Sequence, residues 1–304
     1  MTGLLWILTA EVLFAMMRLA TRVNAEALPW TVLSATRFLG GALVVFGVAR
    51  TTRASLRIRD KRATWLRAIF GTGSSIGVFY ALGSSEISVG DATTLSATAP
   101  LFVAALSRPL LGEVVTRRVM IGIALGFLGV VTLVGPSFET AGPVALIALA
   151  GAASYAMAMV YLRRVGPGES SEAVAMHVSL VAGGFALLML SVQAGAAGGG
   201  PTAAGAFDWQ AVRWWAIALA AVTGGLSQIA VTRAYALERA ARLGAISYAG
   251  VLLTYTLEAV ILERVPTPMQ LAGAGLVVAA GLLTVGGRPS AEVDEVAAAP
   301  DGDG

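Results

Sequence analysis

Four charged side chains lie inside long apolar stretches of the sequence, where a charge needs a specific reason. Glu11 and Arg18 are two helical turns apart in the first stretch, Arg37 lies in the second, and Glu258 lies in the ninth. Each such charge costs about 2.5–3.5 kcal/mol even on insertion scales. A carboxylate there can exchange protons during a transport cycle, or it can form a structural ion pair. We favour the ion pair, Glu11 with Arg18 or Arg37, and keep proton coupling as the alternative.

Polar, aromatic and small side chains at similar depths could bind a solute. Pro100, near the middle of the fourth stretch, and Gly250 in the ninth occupy matching places in the two halves of the chain, and matched interruptions point to the central site of a transporter. Apolar walls with a few hydroxyl groups suit a small amphiphilic ligand. The predicted substrate-binding residues are Tyr80, Thr94, Thr98, Pro100, Tyr155, Met159, Gln228, Tyr248, Gly250 and Tyr255.

Structural roles compete for several of these side chains. Serine and threonine also bond to helix carbonyls, and methionine also fills ordinary cores. Tyr80 and Tyr235 lie toward the ends of their stretches, where tyrosine also forms an interfacial belt. We expect Glu113 and Glu263, at helix ends, to cap helices or anchor loops rather than to contact a solute.

Several kinds of site are excluded by composition. The chain has no cysteine and one histidine, so disulfides, thiolate metal sites and a cysteine nucleophile are ruled out. No catalytic triad or metal-ligand cluster can be assembled from the remaining residues, and we predict neither enzymatic activity nor a cofactor. The basic residues cluster in short loops between apolar stretches, which is not the pattern of nucleic-acid binding.

The elements that must position these residues are membrane helices. Hydrophobic residues make up 57% and charged residues 13% of the chain, and the mean hydropathy is +0.78. Soluble domains carry about 25% charged residues. The sequence therefore predicts an all-α protein embedded in a lipid bilayer. The ten predicted spans are 3–22, 28–48, 64–84, 90–111, 118–135, 143–163, 173–192, 213–237, 243–262 and 267–287.

Arginine and lysine placement predicts the orientation of these spans. With the N-terminus inside, sixteen basic residues lie at the cytoplasmic ends of the spans and three at the opposite ends. The positive-inside rule then places both termini in the cytoplasm. The acidic tail, residues 289–304, is rich in alanine and is expected to be disordered.

Short motifs occur twice in the same order. Tyr-Ala-Leu at 80–82 recurs at 235–237, Leu-Gly-Glu at 111–113 resembles Ile-Leu-Glu at 261–263, and Ala-Pro-Leu at 99–101 resembles Ala-Gly-Val at 249–251. Five spans per unit is an odd number, so the second unit must enter the bilayer from the opposite side. We therefore predict two inverted five-helix repeats, 1–138 and 139–288, around one central site.

Glycine is frequent in the fifth and tenth spans. Gly122, Gly126 and Gly129 lie in the fifth, and Gly273 and Gly275 lie in the tenth. Small residues on one helix face let two backbones approach closely within a membrane. The sequence therefore predicts close helix packing at these faces, either within the monomer or between two copies in a homodimer.

The motifs at 80–82, 99–102 and 111–113, with Thr-Arg-Phe at 36–38, resemble an EamA-type half of the drug/metabolite transporter superfamily. The resemblance covers residues 3–287 and is weaker in the second half. It implies a ten-helix secondary transporter similar to bacterial exporters of aromatic and neutral amino acids. The expected activity is export of small amino acids or related metabolites by alternating access, driven by a gradient. A multidrug or other metabolite exporter is the alternative, and a membrane-embedded enzyme is a more distant one.

Overall fold

The computed structural model describes residues 2–24, 27–83, 95–135, 142–196, 210–261 and 267–285. In these ranges the chain is helical throughout, apart from short connections. The helices, numbered in chain order, are α1 Thr2–Arg22, α2 Trp30–Thr52, α3 Lys61–Gly83, α4 Ala99–Leu111, α5 Arg117–Val134, α6 Pro143–Val165, α7 Ser171–Ala196, α8 Trp214–Leu237, α9 Ala240–Ile261 and α10 Pro268–Val285. Each predicted span corresponds to one of them, so the prediction of an all-α fold is confirmed.

Local sequence signals set several helix boundaries. The side chains of Asp60, Thr116 and Ser170 each accept a hydrogen bond from the backbone N–H three residues later, at the starts of α3, α5 and α7. Gly112 and Gly135 follow the ends of α4 and α5 with φ of +68° and +62°. Glycine reaches this left-handed conformation without steric cost, so the chain can leave each helix there.

Five described helices, α1, α2, α6, α7 and α8, are long and apolar enough to cross a membrane. Two further apolar helical segments are shorter, Ala99–Leu111 and Pro268–Thr284. Large apolar side chains such as those of Leu43 and Leu282 are exposed on the outside of the bundle. Outward-facing leucine suits hydrocarbon, while the backbone polar groups are satisfied within each helix. The chain is thus a multi-pass membrane protein.

Helix pairing follows a two-fold pattern. Helix α1 packs along α8 as α6 packs along α3, and α1 meets α9 as α6 meets α4. When every helix is exchanged for the one five places away in the chain, the contact between α2 and α7 is exchanged with itself. The same holds for the contact between α5 and α10. An inverted repeat requires this pairing. The bounds of the two units, 1–138 and 139–288, stay a prediction.

Facing glycines bring two helix pairs into backbone contact. A Cβ added to Gly273 of α10 would lie 2.8 Å from the carbonyl oxygen of Gly129 of α5. One added to Gly77 of α3 would lie 2.8 Å from Cα of Gly151 of α6. Backbone atoms cannot rotate out of the way, so no larger residue fits without moving a helix. At Gly129 and Gly273 the predicted glycine faces therefore serve packing within the monomer.

We expect Gly273→Ala to destabilise the protein, because the new methyl group would also lie 2.8 Å from Cα of Leu133. Overpacking of this kind costs about 1–3 kcal/mol, and thermal unfolding in detergent would measure it. Gly275→Ala is the matched control, since a Cβ there meets nothing within 4 Å. Equal melting temperatures for the two variants would contradict the proposed α5–α10 contact.

Candidate functional site

Glu11 lies at mid-depth in the bundle, against the backbone of α9. It is nine residues into α1, and Gly250 is ten residues into α9, which is about 14 Å and 15 Å along the two helices. The Glu11 side chain is buried, with 4% of the residue exposed. A Cβ on Gly250 would lie 2.8 Å from Glu11 Cδ and would overlap Oε2. The carboxylate therefore occupies space that only glycine leaves open.

Arg18 connects this carboxylate to α9. Its Nη2 lies 3.8 Å from Oε2 of Glu11. Its Nη1 donates to the Gly250 carbonyl at 3.3 Å and to Oγ1 of Thr254 at 2.9 Å. Of the two ion pairs expected from the sequence, the structure thus brings together the one between Glu11 and Arg18, at the long end of ion-pair distances.

Arg37 lies elsewhere, between α2 and α8. Its Cζ is 4.3 Å from the ring centroid of Phe38, and a Cβ on Gly224 would lie 3.4 Å from its Cγ. Its Nε has no hydrogen-bond partner, and among the described residues Arg37 forms no ion pair. A cation over an aromatic face gains roughly 0.5–2 kcal/mol, so Phe38 offsets part of the cost of burying the charge.

Arg67 of α3 is a central residue that sequence reasoning missed. By its position in the sequence it is one of the sixteen basic residues at the cytoplasmic ends of the spans, yet it is 4% exposed. Its Nη2 donates to Oε1 of Gln228 at 3.4 Å, and its Nη1 lies over Gly71, one turn further into the helix. Arginines near helix ends usually extend toward the interface. The available signal was the small residue at i+4, which leaves room for the side chain to turn inward.

Two tyrosines lie between these charges. Both Glu11 and Arg67 act electrostatically on Tyr155 of α6 and on Tyr235 of α8. Tyr235 is 1% exposed, so the interfacial belt considered for it is wrong. The central polar cluster is defined here as Glu11, Arg67, Tyr155, Gln228 and Tyr235. It joins α1 and α3 of the first half to α6 and α8 of the second.

Apolar side chains surround the central polar cluster. Met159, one turn after Tyr155, is 1% exposed and packs in the same hydrophobic core as Tyr235. The rings of Phe70 and Tyr161 stack in parallel at 5.7 Å beside that core. Charged groups enclosed by such walls interact more strongly than they would in water.

Several other predicted site residues have their contacts outside this cluster. Tyr248 packs against Gly126 of α5, and its buried hydroxyl group has no hydrogen-bond partner. The hydroxyl group of Tyr255 is bonded to the side-chain amide of Gln270 in α10. Tyr80 is exposed. The hydroxyl group of Thr98 donates a hydrogen bond to the Leu95 carbonyl at 2.6 Å. Thr94 and the side chain of Glu258 lie outside the described residues.

The two matched interruptions differ in structure. Leu95 and Ser96 are helical, the chain turns at 97–98, and Pro100 then lies in the first turn of α4 rather than in the middle of a helix. Gly250, in contrast, lies inside the continuous helix α9. Proline lacks an N–H and forces a break, whereas glycine keeps its N–H and lets the helix continue. Of the two matched interruptions, Pro100 therefore follows a helix break, and Gly250 does not interrupt α9.

Glu113 holds one end of the bundle together. Its Oε1 lies 2.7 Å from Nε of Arg163 in α6, and its Oε2 accepts from the N–H of Ala240, the first residue of α9, at 2.9 Å. Arg163 Nη1 also donates to the carbonyl of Tyr235 at 3.1 Å. The predicted anchoring role of Glu113 is confirmed, while Glu263 lies outside the described residues.

Acidic and histidine side chains are too scattered in the described part of the chain to form a metal site, since no three of them group together. The central polar cluster contains one carboxylate and one guanidinium at separate positions. Such an arrangement can bind a polar or charged solute by hydrogen bonds and charge.

We expect Gly250→Ala to impair transport more than folding. The new Cβ would overlap Oε2 of Glu11, which is the end of a flexible side chain and can move. The displaced carboxylate would lose its place beside Arg18, and solute flux in proteoliposomes should fall severalfold while the melting temperature changes little. Gly47→Ala, where a Cβ meets nothing within 4 Å, is the control. Unchanged flux in Gly250→Ala would show that the position of Glu11 is unimportant for transport.

Comparison with known proteins shows which family this chain resembles. The EamA-like transporter family matches residues 1–135 and 142–286. The pseudopaline exporter CntI of Pseudomonas aeruginosa (strain UCBPP-PA14) is 25% identical over 287 residues, which cover 92% of this chain and 94% of that protein. An uncharacterized transporter of Archaeoglobus fulgidus is 34% identical over 139 residues, and this match spans half of that protein's length.

A crystal structure of another protein shares the fold, with a TM-score of 0.75 and 23% identity over 92% of this chain and 95% of the other. Two family matches, one on each five-helix half, cover nearly the whole described bundle. One of these relatives is named an exporter and the other a transporter. The chain therefore belongs to the EamA-like transporter family and is a multi-pass membrane transporter rather than an enzyme.

Proposed function

We propose that the protein is a secondary transporter that exports small amino acids or related metabolites across the bacterial inner membrane by alternating access. One observation carries this proposal: the central polar cluster holds a buried carboxylate, Glu11, and a buried guanidinium, Arg67, that are not paired with each other. The carboxylate of an amino acid matches Arg67, and its ammonium group would compete with Arg18 for Glu11.

The energetic cost of these charges supports a role in binding. Each costs about 2.5–3.5 kcal/mol at the middle of a bilayer on insertion scales. A bundle that needed only stability would gain by replacing them with apolar groups of similar volume. Ligand binding gives a reason to keep them, because the solute supplies the counter-charges when it occupies the site.

The direction of transport and the orientation of the protein in the membrane are each supported by one observation. A relative over 92% of the chain is named an exporter, of pseudopaline, and we carry over to this chain only the outward direction. The excess of basic residues at one set of helix ends supports cytoplasmic termini. Glu113 and Arg163 then lie at the cytoplasmic end of the bundle.

A multidrug exporter is the second candidate. A lipophilic cation would need an accessible carboxylate without its own counter-ion. Glu11 is 4% exposed and lies 3.8 Å from Arg18. These two facts weigh against a solute that has only a cationic group, whereas Arg67, with no ion-pair partner among the described residues, supports a solute that brings a carboxylate.

Substrate counterflow in proteoliposomes tests the proposed function. Vesicles loaded with one unlabelled amino acid should accumulate the same labelled amino acid from outside, with phenylalanine, methionine and threonine as first probes. Protein-free vesicles are the control. We expect accumulation above this control for at least one neutral amino acid. If none of them accumulates, with or without a pH gradient, the amino-acid assignment is wrong and a cationic dye should be tried in its place.

Glu11→Gln separates the ion pair from proton coupling. We expect the variant to respond to a pH gradient as the wild type does, because Glu11 serves as a partner of Arg18. Its stability should fall by about 1 kcal/mol or less, since Arg18 keeps its bonds to Gly250 and Thr254. If the wild type is stimulated by a pH gradient and Glu11→Gln is not, Glu11 carries the proton and the ion-pair interpretation is wrong.

A further inference from the structure

Arg67 is a buried cation with very little compensation. It is 4% exposed; among the described residues its Nε has no hydrogen-bond partner, and its Nη2 donates to the neutral amide of Gln228 at 3.4 Å. A guanidinium has five N–H donors. Among the described residues no carboxylate lies within ion-pair distance of it. The described residues therefore leave the charge of Arg67 without an ion pair and its Nε without a hydrogen bond.

The surroundings of Arg67 are arranged to receive an anion rather than to neutralise the cation. The Gln228 amide approaches it by a hydrogen bond, and Tyr155 and Tyr235 lie within electrostatic range of it. The nearest buried carboxylate of the cluster, Glu11, is held against α9 beside Arg18 instead. Phenol hydroxyl groups can donate to a bound oxygen atom, so they would add to the donors that Arg67 offers.

The guanidinium also has a defined position. Nη1 lies over Gly71, where a Cβ would overlap it, so α3 itself supplies the space that lets Arg67 turn toward the membrane centre. The hydrogen bond to Gln228 of α8 comes from the other half of the bundle. A planar guanidinium held in this way can bind a carboxylate through two parallel hydrogen bonds, which a lysine ammonium cannot do.

We propose that Arg67 is the binding residue for the carboxylate of the transported solute, so that the substrate class is limited to small molecules with a free carboxylate group. This inference rests on the proposed function and makes it narrower. The ammonium group of an amino acid is then not the main determinant, and carboxylic acids without it also qualify as ligands. Esters and amides of the same acids do not.

The first test compares matched ligands on purified protein in detergent. The protein would be titrated separately with three acids (phenylalanine, phenylacetate and succinate) and with two amides (phenylalanine amide and phenylacetamide). The melting temperature is the readout. We expect at least one free carboxylate to raise the melting temperature and its amide to bind at least about tenfold more weakly, since a charge-assisted hydrogen bond is lost. Equal stabilisation by acid and amide would overturn the proposal, and so would no stabilisation by any carboxylate.

Variants show whether Arg67 is responsible for the discrimination. Arg67→Gln should abolish the preference for the acid over the amide, and Arg67→Lys should restore only part of it, because the charge remains but the two-bond geometry does not. Arg62→Gln is the control, since Arg62 is exposed on the same helix. If Arg67→Gln discriminates as well as the wild type, the carboxylate binds elsewhere.

Gly71→Ala provides a second variant in case Arg67→Gln fails to fold. Its Cβ would overlap only the flexible end of Arg67, so the helix should form while the guanidinium is displaced. Gly184→Ala, where a Cβ meets nothing within 4 Å, is the matched control. We expect Gly71→Ala to weaken carboxylate binding severalfold and Gly184→Ala to leave it unchanged. Unchanged binding in both would contradict the role of Arg67.

Counterflow distinguishes the two proposals from each other. If amino acids are transported and their amides are transported equally well, the carboxylate inference fails and the amino-acid transporter stands. If no amino acid is transported but carboxylates still stabilise the wild type and not Arg67→Gln, the proposed function fails and the carboxylate site stands.

Discussion

A charged side chain inside a bilayer has no water to solvate it, and the central helices are arranged around this requirement. Glu11 reaches Arg18, which in turn is bonded to the backbone and to Thr254 of α9. Arg37 lies over the ring of Phe38. Among the described residues, Arg67 has only a hydrogen bond to the Gln228 amide and two nearby tyrosines, Tyr155 and Tyr235. Arg37 and Arg67 are thus the two buried charges without an ion pair among the described residues, and Arg67, which lies in the central polar cluster, is the stronger candidate for a ligand contact.

Glycine makes room for each of these charges. Glu11 lies on Gly250, and Arg67 lies over Gly71. A methyl group at either position would overlap the charged atoms. Elsewhere glycine brings backbones together, as in the contact between α5 and α10. The same property, the absence of a Cβ, thus serves helix packing at the periphery and placement of charge at the centre.

Charged side chains at one end of the bundle connect helices of both halves. Glu113 joins the α4–α5 connection to α6 and to the start of α9. Within the second half, Glu172 of α7 lies 2.6 Å from Arg233 of α8, and Cζ of Arg233 is 4.7 Å from the ring of Trp6 in α1. The proposed alternating access needs the two halves to move against each other. Opening at this end would then separate the contacts of Glu113 and of Trp6, so these contacts would contribute to the barrier between the two states.

Hydropathy, the repeated motifs and the positions of glycine and proline were enough to predict ten helices, the family and a site at mid-depth. These signals can be read along the chain, because every membrane helix must satisfy its own backbone and present apolar side chains to lipid. Only the tertiary structure decided which way each polar side chain faces. Tyr248 turned out to pack on α5, while Arg67, close to a helix end, turned toward the centre. The direction in which a polar side chain faces depends on contacts with helices distant in sequence, such as that between Arg67 and Gln228. The sequence of one helix alone does not show which helices pack against it.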